Sequence, residues 1–140
     1  MTTTLTFTGH DRPGITAELL GSLGDRVQVH DIEQLVVQGR LVLSVAVETD
    51  GLPDIEDLAA RLGLELDIAK ECPDVVNRKA ATALCVLMAP ELRAADVGRI
   101  AGEIASRQGN IERIVRIAEH PVTAIEVTVS GVSDAALKQA

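Results

Sequence analysis

Apolar and polar positions change their period several times along this chain, and each change marks an element. Leu5 and Phe7 alternate with Thr4, Thr6 and Thr8, the two-residue period of a β-strand, which ends at Gly9. Beyond the loop His10-Asp11-Arg12-Pro13-Gly14, apolar residues recur at Ile15, Leu19, Leu20 and Leu23, a helical stripe. Residues 27–37 return to a β-branched run whose alternation slips between Val29 and Ile32, so a bulge is expected there. Gln38-Gly39 suits a two-residue hairpin turn, after which Leu41, Leu43, Val45 and Val47 alternate cleanly. A second helix is expected with Pro53 at its first position, Ile55, Leu58, Ala59 and Leu62 on its buried face, and Gly63 at its C-terminal cap. Leu64, Leu66 and Ile68 then alternate as a closing strand. The order βαββαβ within residues 1–71 predicts an α+β, ferredoxin-like unit, a four-stranded antiparallel sheet under two helices.

The period is lost across residues 72–80, which read as a linker, and is then restored. Residues 83–88 form a strand, and Val97, Ile100, Ala101 and Ile104 a helical stripe closed by Gly109. A strand at 111–117, a turn at His120-Pro121 and an alternating strand through Ile125, Val127 and Val129 follow, and Ser133 is placed to cap a helix from Asp134. Val29 matches Ile111, Ile32 matches Ile114 and Leu43 matches Ile125, each pair 82 positions apart. Residues 81–140 are thus a second copy of the same unit, expected to lack its last strand and to have been cut from a longer natural chain.

Composition narrows the function. The 140 residues are 46% hydrophobic and 24% charged, a globular balance, and the net charge of −8 argues against a nucleic-acid partner. Phe7 is the only aromatic residue, so base-stacking platforms cannot be built. No apolar run reaches the roughly 20 residues that span a bilayer, and the opening Met1-Thr2-Thr3-Thr4 is unlike a signal peptide. Cys72 and Cys85 form neither a CxxC nor a disulfide framework, and reduced thiols in the cytoplasm are the expectation.

Chemistry concentrates in the segment Gly9-His10-Asp11-Arg12-Pro13-Gly14-Ile15, between the first strand and the first helix. Backbone N–H groups at a helix start are unpaired and carry partial positive charge, which favours an anionic group such as a ligand carboxylate. Gly14 removes a Cβ from the approach, Asp11 could take an ammonium group and Arg12 a carboxylate. The competing reading is structural: Asp11 caps the helix while Pro13 and Gly14 shape the turn. A first-loop arginine would also fit an acylphosphatase-like phosphate cradle. An RNA-recognition domain is excluded by the lack of sheet aromatics and positive charge, and a metal carrier by the lack of a first-loop CxxC. His10, His30 and His120 are too scattered to form a ligand cluster, and no DxDxT supplies an aspartyl nucleophile.

The loop Gly9-His10-Asp11-Arg12-Pro13-Gly14-Ile15 resembles the opening loop of ACT domains, small-molecule sensing modules of amino-acid metabolism. The stretch Asp31-Ile32-Glu33-Gln34-Leu35-Val36-Val37-Gln38-Gly39-Arg40-Leu41 is similar to the first ACT domain of the long, actinobacterial type of phosphoserine phosphatase. Gln108-Gly109-Asn110-Ile111 with His120-Pro121-Val122-Thr123 resembles the second. The resemblance implies a tandem regulatory region that pairs as a homodimer and binds a free amino acid, with L-serine as the expected ligand. It also implies a haloacid-dehalogenase-type catalytic domain outside this chain that uses Mg²⁺, with no cofactor, metal or catalytic residue in the chain itself. The ligand residues it implies are Asp11, Arg12, Pro13, Gly14 and Ile15, with Gln34 and Asn110 as candidates for a side-chain hydroxyl. The second loop, Ala89-Pro90-Glu91-Leu92-Arg93-Ala94-Ala95, departs from the pattern, with Ala94 and Ala95 near the place of Gly14, so no full site is expected there. Two other roles fit the same residues: a free-standing tandem regulator of another protein, and a pair used only for dimerisation.

Overall fold

In the computed structural model, residues 2–70 and 81–132 are described, and the chain divides into two units at 76/77. The first unit runs β1 (Thr2–His10), α1 (Ile15–Leu23), β2 (Gln28–Val37), β3 (Arg40–Glu48), α2 (Ile55–Arg61) and β4 (Glu65–Lys70). Its four strands are antiparallel in the order β2-β3-β1-β4, the order of the predicted ferredoxin-like sheet. Alternation decides which face is inside. Leu5, Phe7, Leu41, Leu43, Val45 and Val47 are fully buried with Ile15 and Leu19 of α1 and Ile55, Leu58 and Ala59 of α2, whereas Thr4, Thr6 and Thr8 take the other face.

The expected bulge is present as a register shift between Val29 and Asp31. Gln38 and Gly39 both have positive φ, 49° and 76°, as the mirror-image hairpin turn requires. The start of α2 differs from expectation. Pro53 lies before the helix, and Asp54 is the N-cap, its carboxylate accepting from the Asp57 N–H at 3.3 Å. A carboxylate that closes a free N–H of the first turn outweighs the preference of proline for the first position.

The second unit runs β5 (Ala81–Ala89), α3 (Ala94–Ser106), β6 (Asn110–Ala118) and β7 (Thr123–Ser130) among the described residues. Its sheet has the order β5-β7-β6. The repeat is maintained in register: Ile32 faces Val45 as Ile114 faces Val127, and the shift at Val29/Asp31 returns at Ile111/Arg113. Ala83, Ile104, Ile125, Val127, Val129 and Val132 form its core. The linker, Cys72, and the helix expected from Asp134 lie outside the described residues.

Candidate functional site

The loop after β1 is anchored from below and open above. The Asp11 N–H donates to the Gly39 carbonyl at 2.9 Å, tying the loop to the β2–β3 turn. Gly14 is the N-cap of α1 at φ 93°, ψ −12°, and no side chain caps the helix. This left-handed backbone is a conformation in which a Cβ is strained, although a Cβ on Gly14 would have nothing within 4 Å. The proposal that Asp11 merely caps α1 therefore finds no bond, and its carboxylate has no partner among the described residues. The α1 backbone ladder starts with Glu18 N–H to Gly14 O at 3.0 Å. The N–H groups of Thr16 and Ala17 thus stand at the helix mouth without a carbonyl acceptor among the described residues. Ile15 N–H reaches the Arg12 carbonyl only at 3.5 Å, while the Ile15 side chain is buried in the core and contributes no contact above the loop.

Arg12 reaches sideways. Its guanidinium lies 3.8 Å from the Glu18 carboxylate and 3.5 Å from the Pro13 carbonyl, over the first turn of α1. Both ion-pair partners are about half exposed, so the pair is weak and Arg12 can exchange Glu18 for another carboxylate. Pro13 supplies no N–H and fixes the turn. Gln34 projects from β2 onto the helix-covered face, opposite Leu43, and its Oε1 accepts from the Thr16 hydroxyl at 2.7 Å. Thr16 was not among the residues singled out from sequence. Its meeting with Gln34 depends on how α1 crosses the sheet, which no local pattern encodes. Asn110 belongs to the second unit, at the start of β6, where its amide donates to Glu112 at 2.9 Å.

The corresponding loop of the second unit is built differently. Arg93, not Ala94 or Ala95, takes the N-cap place of Gly14, at an ordinary φ of −95°. The Asp96 carboxylate accepts from the Arg93 N–H at 3.3 Å and from the Arg99 guanidinium at 2.5 Å. A carboxylate already occupies that helix mouth and opposes a second anion. A cleft of about 280 Å³ beside it is lined by Leu87, Met88, Leu92 and Ile100 together with Asp96 and Arg99. Among the described residues no three His, Cys, Asp or Glu side chains are grouped to hold a metal ion, and no helix is long and apolar enough to cross a membrane.

Comparison with known proteins gives the same division. Residues 2–71 and residues 81–140 each match a family model described as ACT domain. The phosphoserine phosphatase of Streptomyces coelicolor is 38% identical over 94% of this chain, and phosphoserine phosphatase SerB2 of Mycobacterium tuberculosis 33% identical over 90%. The chain spans about a third of the length of each, 34% and 33%. Among solved structures, one described as a glycine cleavage system transcriptional repressor superposes with a TM-score of 0.66 at 15% identity, over 99% of this chain and 86% of that one. A protein of Galdieria sulphuraria gives a TM-score of 0.62 at 15% identity, over 91% of this chain and 79% of that one. These two likenesses concern the fold. With two matched models, a repeat kept in register and the glycine-capped loop of the first unit, the chain belongs to the ACT domain family, as two such domains in tandem.

Proposed function

We propose that this chain is the amino-acid-sensing regulatory region of a phosphoserine phosphatase, with L-serine as its ligand. The carrying observation is the first-unit loop, where an unpartnered carboxylate at Asp11 stands beside a helix mouth held open by the left-handed Gly14. A free amino acid presents an ammonium and a carboxylate at fixed separation, and the loop offers one group of each complementary kind. Asp11 receives the ammonium, and the N–H groups around Gly14 and Ile15, with Arg12 at the flank, receive the carboxylate. Gln34 meets the serine hydroxyl. Asn110, whose amide donates to Glu112 in the second unit, is the other candidate for that hydroxyl. A ligand of about seven heavy atoms has a ceiling near 10 kcal/mol, so micromolar affinity requires no deep pocket.

In this reading the chain works in the cytoplasm as a homodimer. The exposed apolar residues Leu84, Val86 and Met88 of β5, a strand without a charged residue, support association. The Mg²⁺-dependent, haloacid-dehalogenase-type chemistry resides in another part of a longer polypeptide, in keeping with the greater length of the relatives. Titration calorimetry with L-serine on the wild type and Gly14→Val tests the site, with thermal melts to confirm folding. Micromolar binding that is lost in a folded Gly14→Val protein is expected. Equal affinity in the two proteins would overturn the loop assignment.

A further inference from the structure

Thr16, the second residue of α1, donates to Gln34 Oε1 at 2.7 Å across the gap between helix and sheet. A glutamine amide has two unlike ends, an accepting oxygen and a donating NH2. With the oxygen engaged by Thr16, the NH2 is the end left to meet a ligand beside the loop. The second unit lacks this arrangement. The second residue of its helix is Ala95, and the residue facing Ile125, as Gln34 faces Leu43, is Arg116, which pairs with Glu119 at 3.2 Å.

Resting on the amino-acid site proposed above, we infer that Thr16 is a positioning residue that sets the side-chain selectivity of that site. By holding the Gln34 amide in one orientation, it presents N–H donors to a ligand side chain that carries an acceptor, a hydroxyl or a carbonyl oxygen. Ligands with an apolar side chain of similar size, such as L-alanine, gain nothing from it. When Thr16 is replaced by Val, the amide rotates freely and either end faces the ligand. A hydroxyl can bond to either end of the amide, so what it loses is the fixed position of its partner. The cost falls on side chains that hydrogen-bond Gln34 and spares apolar ones. Because Gln34 is exposed, the effect has the size of one partly solvated hydrogen bond, roughly threefold to tenfold in affinity.

Calorimetric titration of L-serine and L-alanine tests this on the wild type, Thr16→Val, Thr16→Ser, Gln34→Leu and the Thr16→Val/Gln34→Leu double variant. The wild type is expected to favour L-serine. Thr16→Val weakens L-serine by roughly threefold to tenfold and leaves L-alanine unchanged, and Thr16→Ser restores the preference. In the Gln34→Leu background, Thr16→Val has no further effect. An unchanged serine-to-alanine ratio in Thr16→Val overturns the inference, as does an equal loss when Gln34 is already gone. Failure of the site itself is distinct: a wild type that binds neither amino acid, or binding indifferent to Gly14→Val, overturns both.

Discussion

A methyl group at Gly9 would stand 2.6 Å from Leu64 Cδ2 and 3.0 Å from the Gly63 carbonyl oxygen, closer than packed atoms allow. Gly9→Ala is therefore expected to destabilise the first unit by about 1–3 kcal/mol, read as a lower urea midpoint with an unchanged slope. Gly14, five residues on, presents the opposite case: its surroundings are open, and only its positive φ excludes other residues. Any L-residue there carries a backbone cost of about 1–2 kcal/mol. The sequence shows two glycines flanking one loop and cannot distinguish these causes, because one is a contact with a residue 55 positions away and the other a local dihedral. The loop itself was legible from Asp11-Arg12-Pro13-Gly14. That Arg12 turns towards Glu18 and that Asp11 stays unpartnered are outcomes of packing.

Among the described residues each sheet has two edge strands, and three of the four are guarded by charge. β2 carries Asp31 and Glu33, β4 carries Glu65, Asp67 and Lys70, and β6 carries Glu112, Arg113 and Arg116 with two register irregularities. β5, reading ATALCVLMA, has no charged residue, and Leu84, Val86 and Met88 on its outer face are 56%, 48% and 65% exposed. In the first sheet the same face is the ladder Thr4, Thr6 and Thr8. An uncharged edge with apolar residues on that face is a template for strand addition. Val86→Lys is expected to shift sedimentation from dimer towards monomer at micromolar concentration, and an unchanged distribution would place association elsewhere. The β-bulge repeats with altered chemistry. His30 reaches Glu48 at 3.2 Å, and at the same places in the second unit Glu112 accepts from Ser130 at 2.5 Å. Position is retained while the bond changes partners, because the bulge directs that side chain to the end of the neighbouring strand.

Among the described residues the first core joins Leu5, Phe7, Leu41, Leu43, Val45 and Val47 to both helices, whereas the second gathers around α3 and β7. In the second sheet Cys85 and Leu87 hold the places of Leu5 and Phe7 but are only partly buried. Opening free energy follows buried apolar contact, so amides of β1 and β3 are expected to exchange with deuterium more slowly than those of β5 and β7. Equal protection in the two units would refute the comparison. The chain is expected to release no phosphate from O-phospho-L-serine with Mg²⁺, since the sequence holds no DxDxT nucleophile and among the described residues no three His, Cys, Asp or Glu side chains are grouped to hold a metal ion. Measurable Mg²⁺-dependent turnover by the purified chain would contradict the regulatory reading.

The sequence by itself determined the element order, the bulge near Val29, the Gln38-Gly39 turn, the buried sets on β1 and β3 and the doubling of the unit, because each rests on a period or a turn preference encoded within a few residues. It misplaced Pro53, where two local preferences competed and the side-chain cap of Asp54 prevailed. That Arg93 takes the cap place of Gly14 and that Asp96 fills the second helix mouth is a local capping arrangement, three residues apart, that the reading of the second loop passed over. Only the tertiary structure decided that Thr16 reaches Gln34, because that contact depends on how α1 crosses the sheet, a relation of residues far apart in the chain of which periodicity carries no record.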